Sequence, residues 1–109
     1  MATPSTIIAA QIITATGNEA GGHSAIGDNL SVQIIASAVS GTTPSATFSV
    51  LWSDDGVTYS PASPADVFTA LTGVGNIVER FAVKGAYYKI AWVVSGTTPS
   101  FTTTVEVFN

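Results

Sequence analysis

The chain has 109 residues, 46% of them hydrophobic and only 9% charged, where about 25% charged is usual for a globular domain. Three cations, Arg80, Lys84 and Lys89, stand against seven acids, a formal net charge of -4 that excludes the basic footprint of a nucleic-acid partner. The length suits one domain, 1–109; the lack of cysteine removes disulfides and thiolate chemistry, and no apolar run is long enough for a membrane helix.

Met1 to Thr6 lacks the basic start and apolar core of a secretory signal. Ile7 to Ala15 is rich in Ile and Ala and reads as a strand that ends at Gly17. Ile7, Ile8, Ile12 and Ile13 admit two roles. Residues 1–13 form an N-terminal arm that adds to a neighbour's sheet edge, or they are the first strand of the domain itself. Gly17 to Asn29 holds Gly17, Gly21, Gly22 and Gly27 with no apolar period and reads as a long loop.

From Leu30 the pattern alternates. Leu30, Val32, Ile34, Ala36 and Ala38 share one face, with Ser31, Gln33 and Ser37 on the other, which is the period of a strand. Phe48, Val50 and Trp52 alternate with Thr47, Ser49 and Ser53, and Tyr88, Ile90, Trp92 and Val94 alternate in the same way. Pro61 and Pro64 punctuate the stretch after Tyr59, Val67 to Leu71 is a short strand or a helical turn, and Ile77 to Val83 is another strand. The last, Phe101 to Val107, leaves Phe108 on an outer face. Ser and Thr fill about a quarter of the chain and strong helix formers are scarce, so propensity agrees with an all-β antiparallel sandwich, Ig-like or jelly-roll, of seven or eight short strands.

Val39-Ser40-Gly41-Thr42-Thr43-Pro44-Ser45 recurs unchanged as Val94-Ser95-Gly96-Thr97-Thr98-Pro99-Ser100. Glycine offers special backbone angles and proline lacks a ladder donor, so each copy is expected to cap a hairpin. The two hairpins then sit one in each sheet, or are related by a rough pseudo-symmetry.

Candidate chemistry is sparse. His23, the single histidine, has Glu19 and Asp28 as its nearest acids in sequence, short of the ligand set of a zinc site, and reads as a solvated loop residue. No Gly-x-Ser-x-Gly elbow offers an activated serine. Asp54-Asp55-Gly56 lacks the further ligands of a calcium loop and reads as a turn. Trp52, Tyr88 and Trp92 follow the inward alternation and belong to the core, leaving Tyr59 and Tyr87 for a carbohydrate platform. The expectation is a protein with no catalytic, cofactor-binding or metal-binding residue, whose interaction residues are Ile7, Ile8, Ile12, Ile13 and Phe108.

The run from Val39 to Ser45, then Phe48 to Tyr59, Arg80-Phe81, Tyr87 to Trp92 and Ser95 to Phe101 resembles small virion structural proteins of tailed bacteriophages. Leu30 to Val107 carries the likeness; Met1 to Asn29 lies outside it, and Tyr59 stands where a tryptophan is more usual. The resemblance implies a capsid decoration or minor head protein on the outer virion surface, made in the host cytoplasm. Its partners would be the major capsid protein and further copies of itself, a trimer among the options. A head-to-tail connector, a tail component or a displayed carbohydrate-binding module are the alternatives.

Overall fold

Two strands run through the whole molecule. In the computed structural model, which describes residues 4–108, β1 (Ser5–Ile13), β2 (Gly17–Asn18), β3 (His23–Ser24), β4 (Asn29–Ser53), β5 (Ser60–Val67), β6 (Gly75–Ala82) and β7 (Tyr87–Phe108) form one antiparallel sheet. No helix occurs among the described residues. The strand count agrees with expectation, but β4 and β7 are 25 and 22 residues long and each absorbs two of the expected short strands.

Straight strands of that length would reach about 70 to 80 Å. The longest dimension of the molecule is 39 Å, so both strands bend. Before the bend, β4 pairs with the end of β7, from Ser31↔Phe108 to Ser40↔Ser100; after it, β4 pairs with the start of β7, from Ser45↔Ser95 to Ser53↔Tyr87. The first half has the strand order β1-β7-β4-β6, and the second has β2 and β3 beside β7, then β4, then β5.

Leu30, Val32, Ile34, Phe101 and Val105 of the first half and Ala46, Phe48, Val50, Tyr88 and Ile90 of the second are buried in a single core. Without a helix, only the other half of the sheet can cover each apolar face. The fold is therefore sandwich-like, one sheet folded over upon itself. Phe68 from the second half meets Phe81 of β6 edge to face, with ring centroids 5.2 Å apart, across the seam. Phe68 lies just past β5, and the expected short element from Val67 to Leu71 is reduced to an isolated bridge between Leu71 and Ala46.

The repeat builds the fold-over, which corrects the expectation of two hairpin caps. Both copies lie inside the long strands and pair with each other: Ser40↔Ser100, Thr42↔Thr97 and Ser45↔Ser95. Exchanging the copies maps Ser40↔Ser100 onto Ser45↔Ser95 and Thr42↔Thr97 onto itself, so the corner has a local two-fold pseudo-symmetry. Gly41 and Gly96 have φ of 112° and 114°, and Thr43 and Thr98 both have φ of 46°. Each threonine hydroxyl donates 2.8 Å to the preceding carbonyl, Thr43 to Thr42 and Thr98 to Thr97. A Cβ on Gly41 would sit 2.7 Å from the Thr98 carbonyl oxygen, and one on Gly96 would sit 2.7 Å from that of Thr43. The two backbones touch here, and only glycine lets them.

A bulge between Ala36 and Ala38 precedes the corner and exchanges the faces of the residues beyond it. Ala38, expected inside, is exposed, while Val39 packs against the core.

Candidate interaction surfaces

The outer face of the first half is built from alternate residues of four strands. Thr6, Glu106, Gln33 and Val78 form one row across the sheet and Phe108, Ser31 and Arg80 the next. Val78 is 58% exposed and Phe108 42%. Beside them lies a shallow groove of about 180 Å³, lined also by Pro4, Ser31, Gln33 and Glu106. The outer face of the second half carries Val93 and Val67, both exposed, beside Thr47 and Ser49.

The five residues expected to make contacts divide. Ile12 and Phe108 are exposed, Ile7 is half-buried, and Ile8 and Ile13 are buried in the core at 4% and 2% exposure. A buried side chain cannot touch a partner, so Ile8 and Ile13 leave the candidate set. β1 lies along β7 of its own chain, from Ser5↔Val107 to Ile13↔Phe101, and is the first strand of the fold. Met1 to Thr3, at the start of the 1–13 segment, fall outside the described residues.

Gly17 to Asn29 is more ordered than a loop. Glu19 lies between β2 and β3 with 9% exposure and fills a gap along the β7 edge. Its N–H donates to the Ile90 carbonyl at 3.0 Å, and its Oε1 accepts the Ile90 N–H at 2.8 Å. Its Oε2 lies 2.8 Å from His23 Nε2. His23 is half-buried with its ring 5.3 Å from that of Tyr88, so it is an anchored strand residue and not the solvated loop residue expected. Burial, with the Glu19 carboxylate adding to it, pushes the Tyr88 phenol up to about 12. Glu19 and His23 are also the only titratable groups lining an open groove of about 440 Å³ beside Ile7, Gln11 and Asn18.

The acidic turn is committed to its own backbone. Ser53 Oγ accepts the Gly56 N–H at 2.9 Å and donates to Asp55 Oδ1 at 2.8 Å, while that oxygen also accepts the N–H groups of Val57 and Thr58, each at 2.8 Å. These bonds, Thr58 first and Val57 next, hold the Asp55 carboxyl down at about 2. Asp54 accepts the Ala86 N–H at 3.1 Å. Asp66 accepts the Trp52 indole N–H at 2.7 Å and takes Lys84 Nζ on both oxygens at 2.9 Å, tying the end of β6 to β5. Among the described residues no three His, Cys, Asp or Glu side chains gather into a metal-sized cluster.

The aromatic residues sort by burial. Trp52, Tyr88 and Trp92 are in the core, and the Trp92 indole donates to the Ala15 carbonyl at 3.1 Å. Tyr59 is half-buried. Lys89 Nζ sits 4.6 Å from its ring centre, and its hydroxyl reaches so close to Gly22 that a Cβ there would collide with it. Tyr87 lies against Gly56 at the edge of the acidic turn. No protein-family model and no curated protein matches the chain.

The residues missed by sequence reasoning are Glu19 and Asp66. The signal was their rarity: in a chain with 9% charge, an acid beside an apolar strand invites the question of which buried donor it serves.

Proposed function

We propose that this chain is a non-enzymatic structural protein that acts by adhesion, a decoration protein on the outer capsid surface of a tailed phage. The observation that carries the reading is the character of the outer sheet faces. Ile12, Val67, Val78, Val93 and Phe108 are exposed among mostly uncharged side chains, with Glu106 and Arg80 the charges on the outer face of the first half, while Glu19, Asp54, Asp55 and Asp66 are engaged in internal hydrogen bonds. Such faces can meet a protein neighbour with few ions to desolvate. Repetition over a symmetric shell would then multiply weak contacts into firm attachment.

The virion setting rests on the resemblance carried by Phe48 to Tyr59 and by Ser95 to Phe101. Cryo-electron microscopy of the phage particle assembled with and without this chain is the test. Density repeated over the head and lost with the chain is the expected result. Density confined to the tail, or a particle that never contains the chain, refutes the decoration role.

A further inference from the structure

The two halves of the sheet present four lateral edges, and three of them are blocked. β1 is interrupted by two register shifts and holds Ala10 at φ 49°. β5 contains Pro61 and Pro64 and a register shift against β4. β2 and β3 are two-residue stubs with Glu19 filling the space between them. These are the devices by which sheets avoid pairing with strangers.

β6 is the least protected of the four: its one such device is charge, Glu79 in register with the buried Val32 and Arg80 exposed on the outer face. Its eight residues pair with β4 without a shift, from Ala82↔Asn29 to Gly75↔Ala36, and among the described residues it has no strand on its other side. It contains no proline or lysine. Val74 just before it is 71% exposed and Val78 at its middle is 58% exposed. Arg80 and Glu79 join no ion pair among the described residues.

We propose that β6 is a self-association edge, where a second copy of this chain adds its own β6 antiparallel about a two-fold axis centred on Val78. The inference goes beyond the adhesion reading and does not depend on a virion partner. A two-fold axis normal to the sheet keeps outward residues outward, so facing residues must share a face. A register centred on Glu79 or Arg80 sets a charge against its own copy, which is unfavourable. Centring on Ile77 leaves Arg80 opposite Val74, beyond the strand. Centring on Val78 places Val78 against Val78 of the second copy, Asn76 against Arg80 and Ile77 against Glu79. Arg80 then gains the amide oxygen of Asn76 as an acceptor. This register joins Gly75 to Phe81 in full and merges the four strands β1-β7-β4-β6 with those of the second copy. One strand pair gives an interface at the small end of the range, so the dimer is weak in free solution and matters where copies are held close together.

The chain has no cysteine, so single substitutions report the register directly. Under mild oxidation Val78→Cys is expected to form a disulfide-linked dimer. Asn76→Cys alone and Arg80→Cys alone should not, whereas a mixture of the two should link to each other, since facing Cα atoms lie within disulfide reach. Sedimentation of the unmodified chain should show a mass rising toward twice 11.1 kDa with concentration. Val78→Lys should return it to monomer with its circular dichroism unchanged, while Val93→Lys on the other half leaves the dimer intact. A chain that stays monomeric up to about 1 mM, cross-linking in any other register, or a dimer indifferent to Val78→Lys overturns the proposal.

Discussion

The two halves of the sheet are made from the same two strands and joined by the same heptapeptide, yet their borders differ. The first half is bordered by β1 and β6, strands of nine and eight residues. The second is bordered by the stubs β2 and β3 and by the proline-bearing β5, and it relies on side chains to satisfy its margins: Glu19 for Ile90, Asp66 for Trp52, Asp55 for the turn. At β6 the first half therefore has backbone to offer a neighbour, and the second has closed itself with carboxylates. A shared corner does not impose a shared edge, because the corner constrains only the two central strands.

The largest test of this contrast removes a border of the first half. Deleting residues 1–13 is expected to unfold the chain, because it strips Ile8 and Ile13 from the core and leaves β7 bare. Singly, Ile8→Ala or Ile13→Ala should cost about 2–5 kcal/mol in urea denaturation, and Ile12→Ala under about 0.5 kcal/mol. A deleted chain that stays folded would make β1 a detachable arm after all.

The corner comes next. Gly41→Ala and Gly96→Ala should each cost about 2–4 kcal/mol, through positive φ and the 2.7 Å approach of a carbonyl oxygen, and the two losses should match within about 1 kcal/mol. Unequal losses would break the pseudo-symmetry in energy even though it holds in geometry.

The carboxylate closures of the second half are worth less individually. Glu19→Ala leaves the Ile90 N–H without its acceptor and should cost about 1–3 kcal/mol, with amide exchange rising at Ile90 first. No comparable effect is expected from Glu106→Ala on the outer face of the first half.

Two titrations sharpen the same contrast, and both lie in the second half. The Tyr88 phenol, at about 12 in the fold, is raised above its ordinary value near 10, so its contribution is complete below about pH 10 and is lost as pH climbs through 12. Tyr88→Phe should flatten the melting temperature over that interval. The Asp55 carboxyl, at about 2, is lowered from 3.8, so its contribution is complete above about pH 4 and disappears as pH falls through 2. Asp55→Asn should remove that acid dependence, the smallest effect of the series since the group is solvent-exposed.

Much of this was legible in the residues. Alternation located the inward faces of Leu30 to Ala36, Phe48 to Trp52, Tyr88 to Trp92 and Phe101 to Val107, because strand periodicity is a local property of the chain. The turn at Asp54-Asp55-Gly56 was legible for the same reason, since the bonds of Ser53 and Asp55 that shape it span three residues or fewer; the bond from Ala86 to Asp54 crosses 32 residues and was not. Ala38 was misplaced because a one-residue bulge exchanges the faces of everything after it, and a bulge leaves no composition signal.

Residue order settled the matters that neighbouring residues settle: strands rather than helices, which side of each strand is apolar, and where glycine frees the backbone. Whether Ser-Gly-Thr-Thr-Pro-Ser reverses the chain or bends it was settled by long-range pairing alone. The same residues serve either purpose, and the choice rests on a partner 55 positions away whose carbonyl oxygens press on Gly41 and Gly96. Long-range pairing also decided that Glu19 is buried and that β6 stands open at the sheet's border, since both depend on which strands lie alongside and not on the residues themselves.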